Sequence, residues 1–351
     1  MSLVRTAALL VLAIAAAPVA ACNVPVFRYA LERWKPAVYP IHVFHRGPLT
    51  DADRQRVRQL GGDLNATVTL VDLAGAVPAE ANALWQRQGK DARLPWVVVR
   101  FPESNAEATP AWTGPLADDE IGGLIDSPAR RRLATLLLRG EAAVWVVLTG
   151  GDPAADTAAR RLLTAELKRL EGTVKISTQE DDGDLRTALP LRVSFPILPV
   201  DRRDPAEATF VRLLLRSEEG LEAVPGPIVF PVIGRGRALL ALHGAELTAA
   251  NLERWATFLS GPCSCQVKEL NPGVDLPLAV GWEQALEIAA KAAGETAAPS
   301  AAPAIPPGMA TPAQAPRPAD ASPWLTPVVI VATVAAVAVL FVLARRAARA
   351  G

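Results

Sequence analysis

Residues 143–153 read AVWVVLTGGDP, an apolar run that stops at two glycines and is followed at once by Asp152 and Pro153. A short unbroken apolar stretch bounded by turn residues is the pattern of a strand buried on both faces. Aspartate is a preferred helix N-cap, and proline is already shaped for the first helical position. The stretch therefore predicts a core strand running directly into a helix. Downstream, Ala159, Leu163, Leu167 and Leu170 fall on one helical face, and Gly172 supplies a stop. An acidic insert, QEDDGD, precedes an expected strand over 191–198. Asp204 and Pro205 open a helix carrying Phe210, Leu213 and Leu214. The segment 226–244, GPIVFPVIGRGRALLALHG, predicts two strands joined by Gly234, Arg235 and Gly236. Thr248 then caps a helix whose Leu252, Trp255, Ala256 and Leu259 follow the 3.6-residue period.

The same order is legible upstream. Residues 38–45, VYPIHVFH, predict a strand, and Thr50 with Asp53 three residues on makes a capping start for a helix around Val57 and Leu60. A second strand is expected over 66–73, a helix over 79–88, and a buried strand over 94–101, LPWVVVRF. A short strand at Trp112 and helices over 118–138 complete the unit. The amphipathic stretch 27–34, FRYALERW, is expected to form a short helix docked on this first unit.

A βαβαββα unit of about 100 residues with a proline opening its third strand is similar to the thioredoxin fold, here in tandem. The resemblance implies an α/β protein of two thioredoxin-like units, with the candidate cis-prolines at Pro95 and Pro227. Where that family carries its redox motif, the first unit has Arg46, Gly47, Pro48 and Leu49, and the second has Thr149, Gly150, Gly151 and Asp152. Thiol-disulfide exchange needs an attacking thiolate, and both motifs lack cysteine. The resemblance covers residues 38–260 and implies topology without the family's activity. The segments VPVFRYALERW and GPCSCQVKELNPGVDL also resemble those of extracytoplasmic bacterial proteins of this layout, a likeness that carries no activity with it.

The ends of the chain suggest its address. Arg5, an apolar stretch over 7–17 and small residues after it have the layout of a secretory signal over 1–21. Val19, Ala20, Ala21 and Cys22 resemble a lipobox, which makes Cys22 a lipidation candidate; ordinary cleavage after Ala21 is the other reading. Residues 295–323 hold eight prolines and few large apolar side chains, the composition of an extended spacer. Over 325–344 runs a stretch of 20 residues without a charge, followed by Arg345, Arg346 and Arg349. As a helix it would span about 30 Å, and the trailing arginines place the C-terminus in the cytoplasm. The expected organisation is a signal over 1–21, a first unit with its N-terminal extension over 22–140, and a second unit with a Cys-x-Cys extension over 141–294. A linker over 295–323, a transmembrane helix over 324–345 and a tail over 346–351 follow. The expected location is the cell membrane, single-pass, with the globular part outside.

Lysine plus arginine equals aspartate plus glutamate at 36 each, so no global field draws in nucleic acid. The partners implied are membrane lipid and another envelope protein. Two of the chain's three cysteines, Cys263 and Cys265, lie one residue apart. Four readings of the pair stand side by side. They form a disulfide with each other or with Cys22, act as a labile redox couple, bind copper as Cu(I) with His243 as third ligand, or stay as thiols. Zinc would want four ligands and lacks a second cysteine pair. His42 and His45, three apart on one strand, face opposite sides and cannot chelate together. Asn65, Ala66 and Thr67 have the form of a glycosylation acceptor. The chain contains no His-Glu-x-x-His, no phosphate-binding glycine loop and no Gly-x-Ser-x-Gly. The function read from these features is a binding or scaffold protein without catalytic residues. The alternatives are a thiol oxidoreductase or copper protein working through Cys263 and Cys265, and an accessory subunit of an envelope transport system.

Overall fold

The computed structural model describes residues 24–297 apart from 63, 105–106, 118–119, 177–184, 186, 188, 264–267, 269–270 and 272. The expected signal, Cys22, Cys265, the acidic insert, the proline-rich spacer beyond 297 and the apolar stretch over 325–344 lie outside the described residues. Among the described residues no helix is long and apolar enough to cross a membrane.

The protein is α/β, with two mixed sheets. Helix α1 (Val26–Arg33) leads into β1 (Tyr39–His45), α2 (Asp51–Leu60), β2 (Ala66–Asp72), α3 (Ala79–Gln86), β3 (Trp96–Val99) and β4 (Trp112–Pro115). Thr50 caps α2 by accepting from the Asp53 amide at 3.2 Å, so the capping signal read from sequence is the one used. The first sheet has the order β2-β1-β3-β4: β1 and β2 run parallel, and β1/β3 and β3/β4 are antiparallel. One of its faces buries Ile41 and Val43 beneath Leu60 of α2 and Leu124; the other buries Phe44 and Val98 beneath Ala81 and Leu84 of α3.

Two helices follow, α4 (Ile121–Ile125) and α5 (Pro128–Leu138), and then β5 (Val144–Thr149), α6 (Pro153–Thr173), β6 (Ile197–Asp201), α7 (Ala208–Leu215), β7 (Ile228–Ile233), β8 (Arg237–Ala238), β9 (Leu242–His243), α8 (Ala249–Ser260), β10 (Val274–Asp275) and α9 (Trp282–Ala297). The second sheet has the order β10-β8-β7-β5-β6, with β9 also on β7. Again the first strand has a parallel neighbour on one side, β6, and an antiparallel one on the other, β7. Helices cover both faces, so β5 and β7 are buried almost throughout, which is why their sequences are unbroken apolar runs. Pro231 sits mid-strand in β7 without costing a ladder bond, because β8 pairs at 232–233 and β9 at 228–229 and the ladder is interrupted between them. Trp145, fully buried, meets Phe195 edge-on at 6.4 Å. Burial of one such side chain contributes about 2–3 kcal/mol.

Elements expected in the first unit pack elsewhere. Helix α1 does not dock on the first sheet; Val26, Phe27 and Ala30 join Trp145, Val229 and Leu259 in the core of the second. A side-chain carbon at Gly234 would lie 2.7 Å from Ala30 Cβ, so the glycine (φ +58°) admits the helix to the β7–β8 turn. Arg235 Nε donates to Leu31 O at 2.8 Å, and the Val26 amide donates to Gly261 O at 3.0 Å. Helix α5 also belongs to the second sheet, where Leu133 and Leu137 meet Val144, Val146 and Leu198. The apolar faces of both helices were legible; the surfaces they match lie far along the chain. A further correction concerns the expected strand over 191–198, which is instead β6, because parallel pairing to β5 starts only at Trp145 opposite Ile197. All these described elements lie in one compact unit.

Candidate functional site

Strand β5 ends at Thr149, and the chain turns through Gly150 (φ +95°) and Gly151 into α6. Asp152 caps that helix by accepting from the Ala154 and Ala155 amides at 2.8 and 3.2 Å, with Pro153 in the first turn. Asp156, one turn in and almost buried, accepts from the Gly150 amide at 2.8 Å and so fixes the turn from behind. Facing it is the 224–227 loop that leads into β7. The two loops touch, and a side-chain carbon at Gly151 would lie 1.8 Å from Pro225 O, so only glycine permits this approach. Arg202, just past β6, braces the second loop. Its guanidinium donates to Val224 O and Gly226 O, both at 2.7 Å. Burial lowers the arginine's pKa from its ordinary value while Asp156 pulls the other way.

Beside these loops lies a groove of about 820 Å³. One wall is the small-residue face of α6, with Ala155, Ala158 and Ala159; the other is Pro225, Gly226 and Pro227, with Leu247 nearby. Its titratable lining side chains are Asp152 and His243. His243 reaches it from β9, where it pairs with Ile228. The lining is mostly apolar, a surface suited to covering an apolar segment and fixing it through a few polar groups at the rim.

Of the residues singled out from sequence, the structure brings Asp152, Pro227 and His243 to this groove. Of the two candidate cis positions, the bond from Leu94 to Pro95 is cis and that from Gly226 to Pro227 is trans, on a path held by Arg202. Arg46, Gly47, Pro48 and Leu49 connect β1 to α2. There Gly47 (φ +71°) donates its amide to Asp72 Oδ1 at 3.1 Å. The Ala74 and Gly47 amides hold the Asp72 carboxyl below the usual carboxylate range.

Cys263 is 1% exposed and packs in the core cluster of α1 and α8. Its amide donates to Val24 O at 2.9 Å, beside a bridge between Pro25 and Pro262. His243, the third residue of the copper reading, lines the groove. No group of three or more metal-ligating side chains occurs among the described residues. Asn65 uses both ends of its amide, donating to Ala37 O at 2.8 Å and accepting from the Leu278 amide at 3.3 Å. That ties the glycosylation-like triplet into the structure.

Sequence reasoning missed the arginines that bond backbone carbonyls. Arg202 braces the groove, Arg28 donates to Pro190 O at 2.8 Å, and Arg130, buried beside Phe210, donates to Leu124 O at 2.8 Å and Pro277 O at 3.1 Å. Burial pushes Arg130 down to about 10. The only local signal for such a role was an arginine set beside a turn, as in DRRDP over 201–205. No family model, no curated protein and no solved structure matches this chain.

Proposed function

We propose that this chain is a binding module that receives an extended apolar segment of another envelope protein in the groove between α6 and the 224–227 loop. On this reading its fold is a tandem of degenerate thioredoxin-like units. The support is the strand order β2-β1-β3-β4, repeated as β6-β5-β7-β8, with a proline ahead of β3 and another ahead of β7. The signal-like N-terminus, the proline-rich spacer and the apolar stretch over 325–344 support anchoring at the outer face of the membrane. The observation that carries the reading is the groove itself: apolar walls, a rim bearing Asp152 and His243, and a glycine contact that holds the walls together.

The test is binding of synthetic peptides, apolar and polar, to the full-length chain in mild detergent. Ala158 is exposed on the α6 wall, so Ala158→Trp fills the groove without touching the core. Apolar peptides are expected to bind, and the variant to weaken them by about tenfold or more with thermal unfolding unchanged. Equal binding by the variant would remove the groove from the function.

A further inference from the structure

Among the described residues the two sheets present five outer edges, and four of them are blunted. Strand β4 has four residues and ends at Pro115, β6 carries Pro199 at its centre, and β9 and β10 have two residues each. Short strands and prolines at an edge prevent pairing with another chain. The fifth edge, β2, has none of these devices. It runs for seven residues, ATVTLVD, without proline or lysine, and its Leu70 is 50% exposed, one of three large apolar side chains so exposed among the described residues.

The pairing of β2 with β1 fixes which backbone groups remain. The Tyr39 amide donates to Asn65 O and the Leu73 amide to His45 O, each at 2.8 Å. In a parallel ladder that phase turns the odd-numbered residues of β2 toward β1 and the even-numbered ones outward. Ala66 uses its amide on Leu64 O, and Asp72 O accepts from the Gly75 amide. Val68 and Leu70 are left with outward N–H and C=O groups and no backbone partner among the described residues.

We propose that β2 is a homodimer edge: two copies pair antiparallel through it, about a two-fold axis at Thr69, and join their four-stranded sheets into one. Symmetric registers centred on a residue align outward groups with outward groups, and the three at the middle of β2 differ in what they bring together. Centring on Leu70 sets Val68 against the partner's Asp72, an apolar side chain against a charge. Centring on Val68 sets Leu70 against the partner's Ala66, whose amide is already bonded. Centring on Thr69 pairs Val68 with the partner's Leu70 twice over, uses only the free groups, and covers the exposed leucine with an apolar neighbour. Thr69 then faces itself, a favourable cross-strand pair, and each Asp72 falls opposite Ala66 with no like charge across from it. A strand pair alone buries less than the roughly 1,200 Å² of a standard stable interface, so the dimer is dissociable.

Cross-linking of the full-length chain in mild detergent tests the register. In a non-hydrogen-bonded antiparallel pair the Cα atoms lie about 4.5 Å apart, within disulfide reach, whereas position 67 of each copy would be about 14 Å from its counterpart. Under mild oxidation Thr69→Cys is expected to give covalent dimer about tenfold faster than Thr67→Cys, with the unsubstituted chain setting the background from the native cysteines. Leu70→Lys, at an exposed position, is expected to shift sedimentation of the native chain from dimer to monomer. A native chain that sediments as monomer at all concentrations overturns the proposal. So does a dimer in which Thr69→Cys cross-links no faster than Thr67→Cys, which would place the contact elsewhere.

Discussion

Replacing Arg202 by methionine keeps the length of the stem and removes the two bonds that brace the groove wall. Each bond is 2.7 Å from a charged donor to a carbonyl, of Val224 or Gly226. Fully buried, such a bond contributes about 1.5–3 kcal/mol. Here donor and acceptors are half-exposed, so water replaces the lost donor and the loss falls to about 1 kcal/mol per bond. Arg202 Nε has no partner and its burial works against the folded form, so removing it returns part of that cost. The net destabilisation of the loop is about 1–2 kcal/mol, which raises its open population roughly 5- to 30-fold. Hydrogen exchange reads this directly at the Ala223 and Val224 amides, which bond Gly220 O and Leu221 O at 3.1 Å. Arg202→Lys, able to replace only one bond, should fall between the native chain and Arg202→Met. If both variants exchange at the native rate, Arg202 does not hold the wall and the account of the groove's rigidity is wrong.

Gly151→Ala places a carbon against Pro225 O and should lower stability by about 3 kcal/mol or more, whereas Gly172→Ala, inside α6 with nothing within 4 Å, should raise it by about 0.5–1 kcal/mol; urea unfolding of both compares them. Burial first, and the Arg100 charge second, lower the pKa of His42 below 6.5. The unfolded chain therefore binds more protons just below pH 6.5, stability falls as pH drops through that window, and His42→Phe should flatten the slope in denaturation midpoints measured from pH 7 to 5. Because Cys263 is backbone-paired to Val24, two residues from Cys22, non-reduced peptide mapping of chain purified without reductant should find Cys263 in a disulfide with Cys22 or Cys265; alkylatable thiols at both 263 and 265 would reject this.

Local signals decide the structure wherever one residue pattern specifies one element. Asp152 with Pro153, Thr50 and Thr248 start helices as their side chains dictate, and Ala159, Leu163, Leu167 and Leu170 are all buried. Gly172 was expected to end α6, yet the helix continues to Thr173, because a glycine ends a helix only when its neighbours need the left-handed conformation. Two-residue strands such as β9 and β10 carry no periodicity and exist only as partners of β7 and β8. The groove illustrates the same limit. Asp152 and Pro227 were each marked by local chemistry, but their meeting depends on Gly151 passing Pro225 from a different part of the chain.

The docking of α1 also sets a schedule. The first described helix is held by Arg235, 204 residues away, and by Gly261 still later. During synthesis or export it emerges first and has no surface to settle on until the β7–β8 turn and α8 have followed. Loop-closure entropy makes such distant contacts late, since their cost is met before their gain arrives. Until then Trp145 and Val229 lack part of their cover and invite association with other chains. The helix thus works as a closing latch, and a chain shortened at its front should assemble its sheets yet stay prone to aggregate for as long as that side remains bare.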